Sequence, residues 1–298
     1  SLALEILNQY KFDINTFNGV LFFDYKTQIL TQDGTEFRKE KFNFKTLNDD
    51  ILEFLIDNFD PLKPDSEFSF DSYSNVKLLI CLDNLEEQII HNSKDVNEFI
   101  DSFPKDWITI ITSRIKPEDA KIINLKTFDK INSKKLAIEY SNQLDNKFLN
   151  LYSNKIDELV NICDGNPLAV KLAVERTLST GDIIKSSNEA FKMVSEFSFI
   201  NLGDFLTDKT ITLLEFLRQH GASGFERIID SLGFSDEELV TSLQEVKKTS
   251  IIDIVNNEDD REIYSCPAIT QNFLLNNQRA QDLSQEVKNK ISKDRNTS

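Results

Sequence analysis

The sequence predicts an α/β chain: a parallel sheet with crossover helices comes first, then an all-helical region, then a small module of helices and a hairpin. Three observations predict it. Short, nearly continuous apolar runs at residues 20–25, 76–82 and 107–112 have the pattern of strands covered on both faces. Segments of helical period separate these runs, and strand–helix–strand at such intervals implies parallel pairing through crossovers. After about Phe128 the strands stop, and β-like runs return only near residues 251–264.

Taken in order, Leu2, Ala3, Ile6 and Leu7 have helical spacing, so the chain opens inside a helix. Residues 49–59 return to that period, with acids in the first turn, where the helix dipole favours them. Residues 96–103 give a short helix ended near Pro104, and residues 122–125 are expected to add a fourth strand at an edge. Helices follow at 133–144 and 154–178, the second interrupted at 164–167. Residues 181–201 are polar enough to hold a boundary. Short helices recur at 211–220, 225–232 and 236–249, with Ser235 as the expected N-cap of the last. The β-like runs at 251–255 and 262–264 are separated by an acidic turn at 256–260. Three helices and then a hairpin match a winged-helix module. The charged tail at 279–298 reads as the start of a further helix. The expected divisions are 1–127 (α/β subdomain), 128–200 (helical subdomain), 201–277 (winged helix) and 278–298 (tail or start of a further helical region).

Composition narrows the class. The chain has 298 residues, 40% hydrophobic and 28% charged, with a formal charge of −16. That balance weighs against broad contact with nucleic acid, whose affinity comes largely from Lys and Arg on phosphates. Local basic pairs remain at Lys134–Lys135 and Lys247–Lys248. No stretch approaches the roughly 20 apolar residues that span a bilayer, and residues 1–11 lack a secretion signal's basic start and cleavage site. Cys81, Cys163 and Cys266 form no paired framework, so a reducing, cytoplasmic setting is expected. His91 and His220 have no partner signature and read as ordinary structural or surface residues. Trp107 and the many phenylalanines read as core.

Three segments carry chemistry. In Leu78-Leu-Ile-Cys-Leu-Asp-Asn-Leu-Glu-Glu87 an apolar strand ends in Asp83. A carboxylate there sits at the carboxyl edge of a parallel sheet, where open α/β folds bind ligands. Such an acid can hold Mg²⁺ through its water shell beside nucleotide phosphates, with Glu86 or Glu87 further out to polarise a water. Read alone, the motif is also an ordinary buried strand ending in a polar turn. In Ile108-Thr-Ile-Ile-Thr-Ser-Arg114 a second buried strand ends in two hydroxyls and an arginine able to grip phosphate oxygens, or simply to sit solvated on a loop. The two together, at crossover spacing, are far more specific than either. In Ile162-Cys-Asp-Gly-Asn-Pro-Leu-Ala-Val170, Gly165 and Pro167 reset a helix, as at any helix–helix corner.

This third run resembles the GLPLA motif of NB-ARC domains, in the STAND class of P-loop NTPases, which includes apoptosome organisers, plant disease-resistance proteins, and bacterial regulators and antiphage sensors. Other segments fall into register with that family. Phe17-Asn-Gly-Val-Leu-Phe-Phe-Asp-Tyr25 resembles its second strand, residues 78–87 its Walker B, and residues 108–114 its sensor strand. Residues 128–144 resemble the start of its helical subdomain, and residues 213–275 its winged helix. Glu262-Ile-Tyr-Ser-Cys-Pro-Ala-Ile-Thr-Gln-Asn-Phe-Leu274 matches the closing Y-x-x-H-P-L segment. The resemblance covers residues 1–275. It implies a P-loop ATPase core with ATP/ADP and Mg²⁺ as cofactors. Asp83 would be the Mg²⁺ ligand and Glu87, less surely Glu86, the catalytic acid. Thr112, Ser113 and Arg114 would be sensors near the terminal phosphate, and Gly165, Pro167 and Leu168 would lie on the adenine side.

Two departures from the family stand out. The phosphate loop GxxxxGK[ST] is expected just before Ser1-Leu-Ala-Leu-Glu, so the sequence as written lacks its lysine and glycines and is expected to bind nucleotide poorly. Cys266 stands where the family usually has a histidine that contacts ADP, which weakens that latch, and the thiol itself reads as a buried small side chain. The function implied is an ATP/ADP-gated switch with slow hydrolysis, in bacterial defence or regulation. Its partners would be nucleotide, further copies of itself in an oligomer, and effector and sensor regions outside the segment. The alternatives are an AAA+-like or transcription-regulating ATPase that binds DNA through the winged helix, and a non-hydrolysing scaffold.

Overall fold

A computed structural model of the chain describes residues 2–10, 16–26, 28–37, 43–59, 69–117, 120–145, 147–200, 202, 206–249, 251–256 and 261–294. Ser1, most of the expected turn at 256–260 and the last four residues lie outside them. The fold is mixed α/β and divides into two units. One holds residues 1–29 and 37–122, the other residues 30–36 and 123–298.

The first unit opens with helix α1 (Leu2–Tyr10) and strand β1 (Gly19–Asp24). The chain then makes a hairpin, β2 (Gln28–Thr31) and β3 (Gly34–Phe37), most of which clusters with the other unit. Helix α2 (Phe44–Phe59), strand β4 (Leu78–Asp83), helix α3 (Glu86–Asp101) and strand β5 (Ile108–Ile111) complete the first unit. The sheet runs in the order β1-β4-β5, and both pairings are parallel, as the alternation of runs predicts. All six residues of β4 are buried, because it is the central strand. The expectation that β1 and β5 are covered on both faces does not hold. Phe22 and Ile108 are exposed, and neither strand has a fully buried residue. A continuous apolar run marks a central strand only when neighbours flank it on both sides.

Ala3 and Leu7 of α1 pack with Phe17, Leu79 and Cys81. A separate aromatic cluster joins Phe70, Phe99, Phe103 and Trp107, with ring centroids 5.0–6.2 Å apart. The Trp107 indole N–H donates to the Val76 carbonyl at 2.9 Å, so this core residue has its polar end satisfied. Helix α3 begins ten residues before the expected 96–103 segment. Asn92 is non-helical (φ −143°), and this kink hides the earlier turns from a periodicity count.

The second unit begins with α4 (Lys130–Leu144), α5 (Lys147–Tyr152), α6 (Ile156–Ile162), α7 (Pro167–Thr180) and α8 (Ile183–Phe199). One expectation fails here, and one segment is more regular than its polarity suggests. Residues 122–125 form no strand. Ile123 and Leu125 are 79% and 72% exposed, since β-prone residues make a strand only where a neighbouring edge accepts their backbone. Residues 181–201 hold a helix, α8, whose inner face uses Ser186, Ser187 and Ser195 beside Ile183, Ala190, Phe191 and Val194. Hydroxyls bonded to carbonyls (Ser187 to Ile183, Ser195 to Ile269, both 2.6 Å) make that buried face look polar in sequence. Leu30 of the hairpin joins this core, and Arg176 donates to the Gln32 carbonyl.

The rest comprises α9 (Asp208–His220), β6 (Ser223–Gly224), α10 (Phe225–Leu232), α11 (Asp236–Lys248), β7 (Asp253–Asn256), β8 (Glu262–Ser265), α12 (Ala268–Asn276) and α13 (Gln278–Asp294). The sheet order is β6-β8-β7, antiparallel throughout. Ser235 caps α11 in a full capping box with Glu238. Phe199 of α8 stacks on Phe273 of α12 with centroids 3.9 Å apart. No described helix is long and apolar enough to cross a membrane.

Candidate functional site

The first cluster lies at the carboxyl edge of the parallel sheet. Register places Asp24 of β1 beside Asp83 of β4, and Leu82 of β4 beside Ile111 of β5. Thr112 therefore follows β5 next to Asp83, and its hydroxyl donates to Asp83 Oδ1. The Thr112 hydroxyl oxygen in turn accepts the Asn84 backbone N–H at 3.0 Å. The ladder continues one step, with Thr112 N–H to the Leu82 carbonyl and Leu85 N–H to the Thr112 carbonyl, both 3.0 Å.

Asn84 has φ +63°. This left-handed conformation turns the chain from β4 into α3, and asparagine tolerates it better than most residues. Its side-chain amide donates to Asp24 Oδ1 at 3.0 Å. Asp24, Asp83, Asn84 and Thr112 thus form one hydrogen-bonded row across three strand ends. Asp83 is 7% exposed, so its carboxylate is held in one orientation at the rim. Burial, and then the charge of Asp83, push the Cys81 thiol up to about 12, which leaves it a neutral core group.

Glu86 and Glu87 occupy the first turn of α3. Arg114 donates from Nη2 and Nε to the same Glu86 oxygen, at 2.6 and 3.1 Å. Glu87 follows at intermediate exposure. The Ser113 hydroxyl accepts the Ile115 N–H at 3.0 Å, so it shapes the turn that carries Arg114. Among the described residues no three His, Cys, Asp or Glu side chains gather as metal ligands. Mg²⁺ requires no such cage, since it keeps several waters and uses one or two carboxylates beside phosphates. A single oriented Asp83 with a hydroxyl alongside fits that requirement.

Gly165, Pro167 and Leu168 lie in the second unit, at the corner between α6 and α7. Asp164 (φ +46°) and Gly165 (φ +70°) are both left-handed. A Cβ on Gly165 would stand 2.1 Å from the Phe128 carbonyl oxygen, while the Phe128 N–H donates to the Gly165 carbonyl at 2.8 Å. Glycine is needed here for both conformation and space. Asn166 caps α7 by accepting the Leu168 and Ala169 N–H groups at 3.0 Å each, with Pro167 pre-set at the first helical position. Leu168 is exposed.

Cys266 also belongs to the second unit and is 6% exposed. Burial, and then the nearby Glu215, push its thiol up to about 12, so it is an uncharged side chain at neutral pH. Sequence reasoning missed Asp24, Asn84 and Asn166. The signal for Asp24 was present, because its strand ends in Asp after an apolar run just as β4 does.

No protein-family model matches the chain, and no curated sequence does. Among solved structures, a Walker-type ATPase of Pyrococcus abyssi is similar in fold. Its TM-score is 0.56 at 13% sequence identity, over 90% of this chain and 94% of that one. At that identity the likeness is one of fold.

Proposed function

We propose that the chain is the nucleotide-switch core of a signalling ATPase of the NB-ARC type, in the STAND class. The observation that carries this reading is the fixed carboxylate of Asp83, locked by the Thr112 hydroxyl at the carboxyl edge of the central strand, with Arg114 two residues further on. Sequence motifs in family order and a fold shared with a Walker-type ATPase support it.

In this reading Asp83 anchors Mg²⁺ through water, and Thr112 keeps its carboxylate aimed at the rim. Bound Mg²⁺ would neutralise charge on the phosphate oxygens. Glu87, which the resemblance makes the catalytic acid, polarises the water, and Arg114, paired with Glu86, senses the terminal phosphate. Pro167 and Leu168 stand at the start of α7, and the family resemblance names them as adenine-side residues. The order α9, β6, α10, α11, β7, β8 and the sheet order β6-β8-β7 support a winged helix for the last module. ATP in place of ADP would bias the domain arrangement toward an oligomerising form, with hydrolysis as a slow reset. A role in bacterial defence or regulation fits the family resemblance.

The test is calorimetric binding of Mg-ADP and Mg-ATPγS to the full-length protein, beside Asp83→Ala, with light scattering to read its assembly. Nucleotide binding that weakens at least on the order of tenfold in Asp83→Ala is expected. Absence of any nucleotide effect in both proteins favours the scaffold reading instead. The DNA-binding alternative has little support from charge, since Asp236, Glu237 and Glu238 fill the first turn of α11. Tight, salt-sensitive binding of duplex DNA in a gel shift would revive it.

A further inference from the structure

Arg114 does not present an open guanidinium fork to the sheet edge. Nε and Nη2 form one of the two donor pairs with which a guanidinium grips a phosphate or carboxylate bidentately, and both point at one Glu86 oxygen. The pair is shielded, with side-chain exposures of 30% for Arg114 and 10% for Glu86. Glu86 is fixed on the first turn of α3, and Arg114 sits on the turn shaped by Ser113 and Ile115.

We propose that Glu86 is a built-in competitor for the sensor arginine: it occupies the phosphate-gripping side of Arg114 until the terminal phosphate of a nucleoside triphosphate displaces it. The inference rests on the nucleotide-switch reading and adds a threshold to it. A carboxylate carries one negative charge and a terminal phosphate nearly two, so the triphosphate can win the exchange. A diphosphate lacks the competing group and leaves the pair closed. The pair thus sets the preference between ATP and ADP, and a strut with a purely structural role would not. By linkage, whatever opens the pair raises triphosphate affinity by the same factor.

The experiment measures Mg-ATPγS and Mg-ADP affinity in the full-length protein and in Glu86→Gln, which keeps the shape and removes the charge. Triphosphate affinity is expected to tighten on the order of tenfold while diphosphate affinity stays within about twofold. In the double variant Glu86→Gln, Arg114→Gln that gain is expected to vanish. An unchanged ratio, or equal weakening of both nucleotides, overturns the competitor role and leaves a strut, with the switch reading intact. Binding of neither nucleotide by either protein defeats the switch reading and this inference with it. Should Glu86→Gln fail to fold, Glu86→Asp draws the carboxylate back by one methylene. A smaller gain in the same direction is then expected, and none overturns the proposal.

Discussion

Among the described residues, the two left-handed turns at non-glycine residues, Asn84 in the first unit and Asp164 in the second, are held in different ways. The Asn84 turn is secured by side chains, through the Thr112 hydroxyl and the Asp24 carboxylate. The turn at Asp164 is secured by backbone, through the Phe128–Gly165 hydrogen bond and a contact too close for any Cβ. Side-chain networks can be retuned by isosteric substitution, and they keep polar groups at a rim where a ligand could exchange with them. A backbone fit admits one residue type, and it fixes the path of the chain into α4. The first turn is held by polar side chains and the second by backbone fit.

Four substitutions break or sharpen that contrast. Gly165→Ala is expected to be the most damaging, at about 3 kcal/mol or more, from left-handed strain added to the Phe128 clash. Chemical denaturation checks it, and a loss under about 1 kcal/mol would mean that the corner gives way easily. Thr112→Val follows at about 2 kcal/mol, because it strips a buried carboxylate and a backbone N–H of their partner. If its unfolding midpoint matches the wild type, the row across the strand ends is decorative.

Asn166→Ala removes the cap of α7 and is expected to cost about 1 kcal/mol, readable by thermal melting. A cost equal to that of Gly165→Ala would show that the corner depends on its cap more than on its backbone contact. Asn84→Gly trades relief of left-handed strain against the hydrogen bond to Asp24, and is expected to stay within about 0.5 kcal/mol of the wild type. A larger destabilisation would assign the turn to the Asp24 contact, and a clear gain would assign it to strain.

Much of this was legible in the sequence. Ser235 and Glu238 announce the capping box of α11, and Asp164-Gly-Asn-Pro167 announces the corner. Asp83 and Thr112 are named by the strands that end at them. The kink at Asn92 and the serine-lined face of α8 were hidden, because both disturb the apolar period that the eye follows. The β2–β3 hairpin gave no signal of its partner. Leu30 joins a core cluster whose other members lie beyond residue 135, and the Gln32 carbonyl accepts from Arg176.

What the sequence alone determined is local: that the runs at 20–25, 76–82 and 107–112 hold strands, that Ser235 caps a helix, and which carboxylate stands at a strand end. Those choices depend on neighbours within a turn or a pleat. Tertiary structure decided the pairings. Register alone brings Asp24 level with Asp83 and Thr112 against it. Packing of α3 against the turn after β5 pairs Arg114 with Glu86, a partnership that the sequence did not name. Residues 28 positions apart meet only when a sheet fixes their spacing, and no local preference encodes that distance.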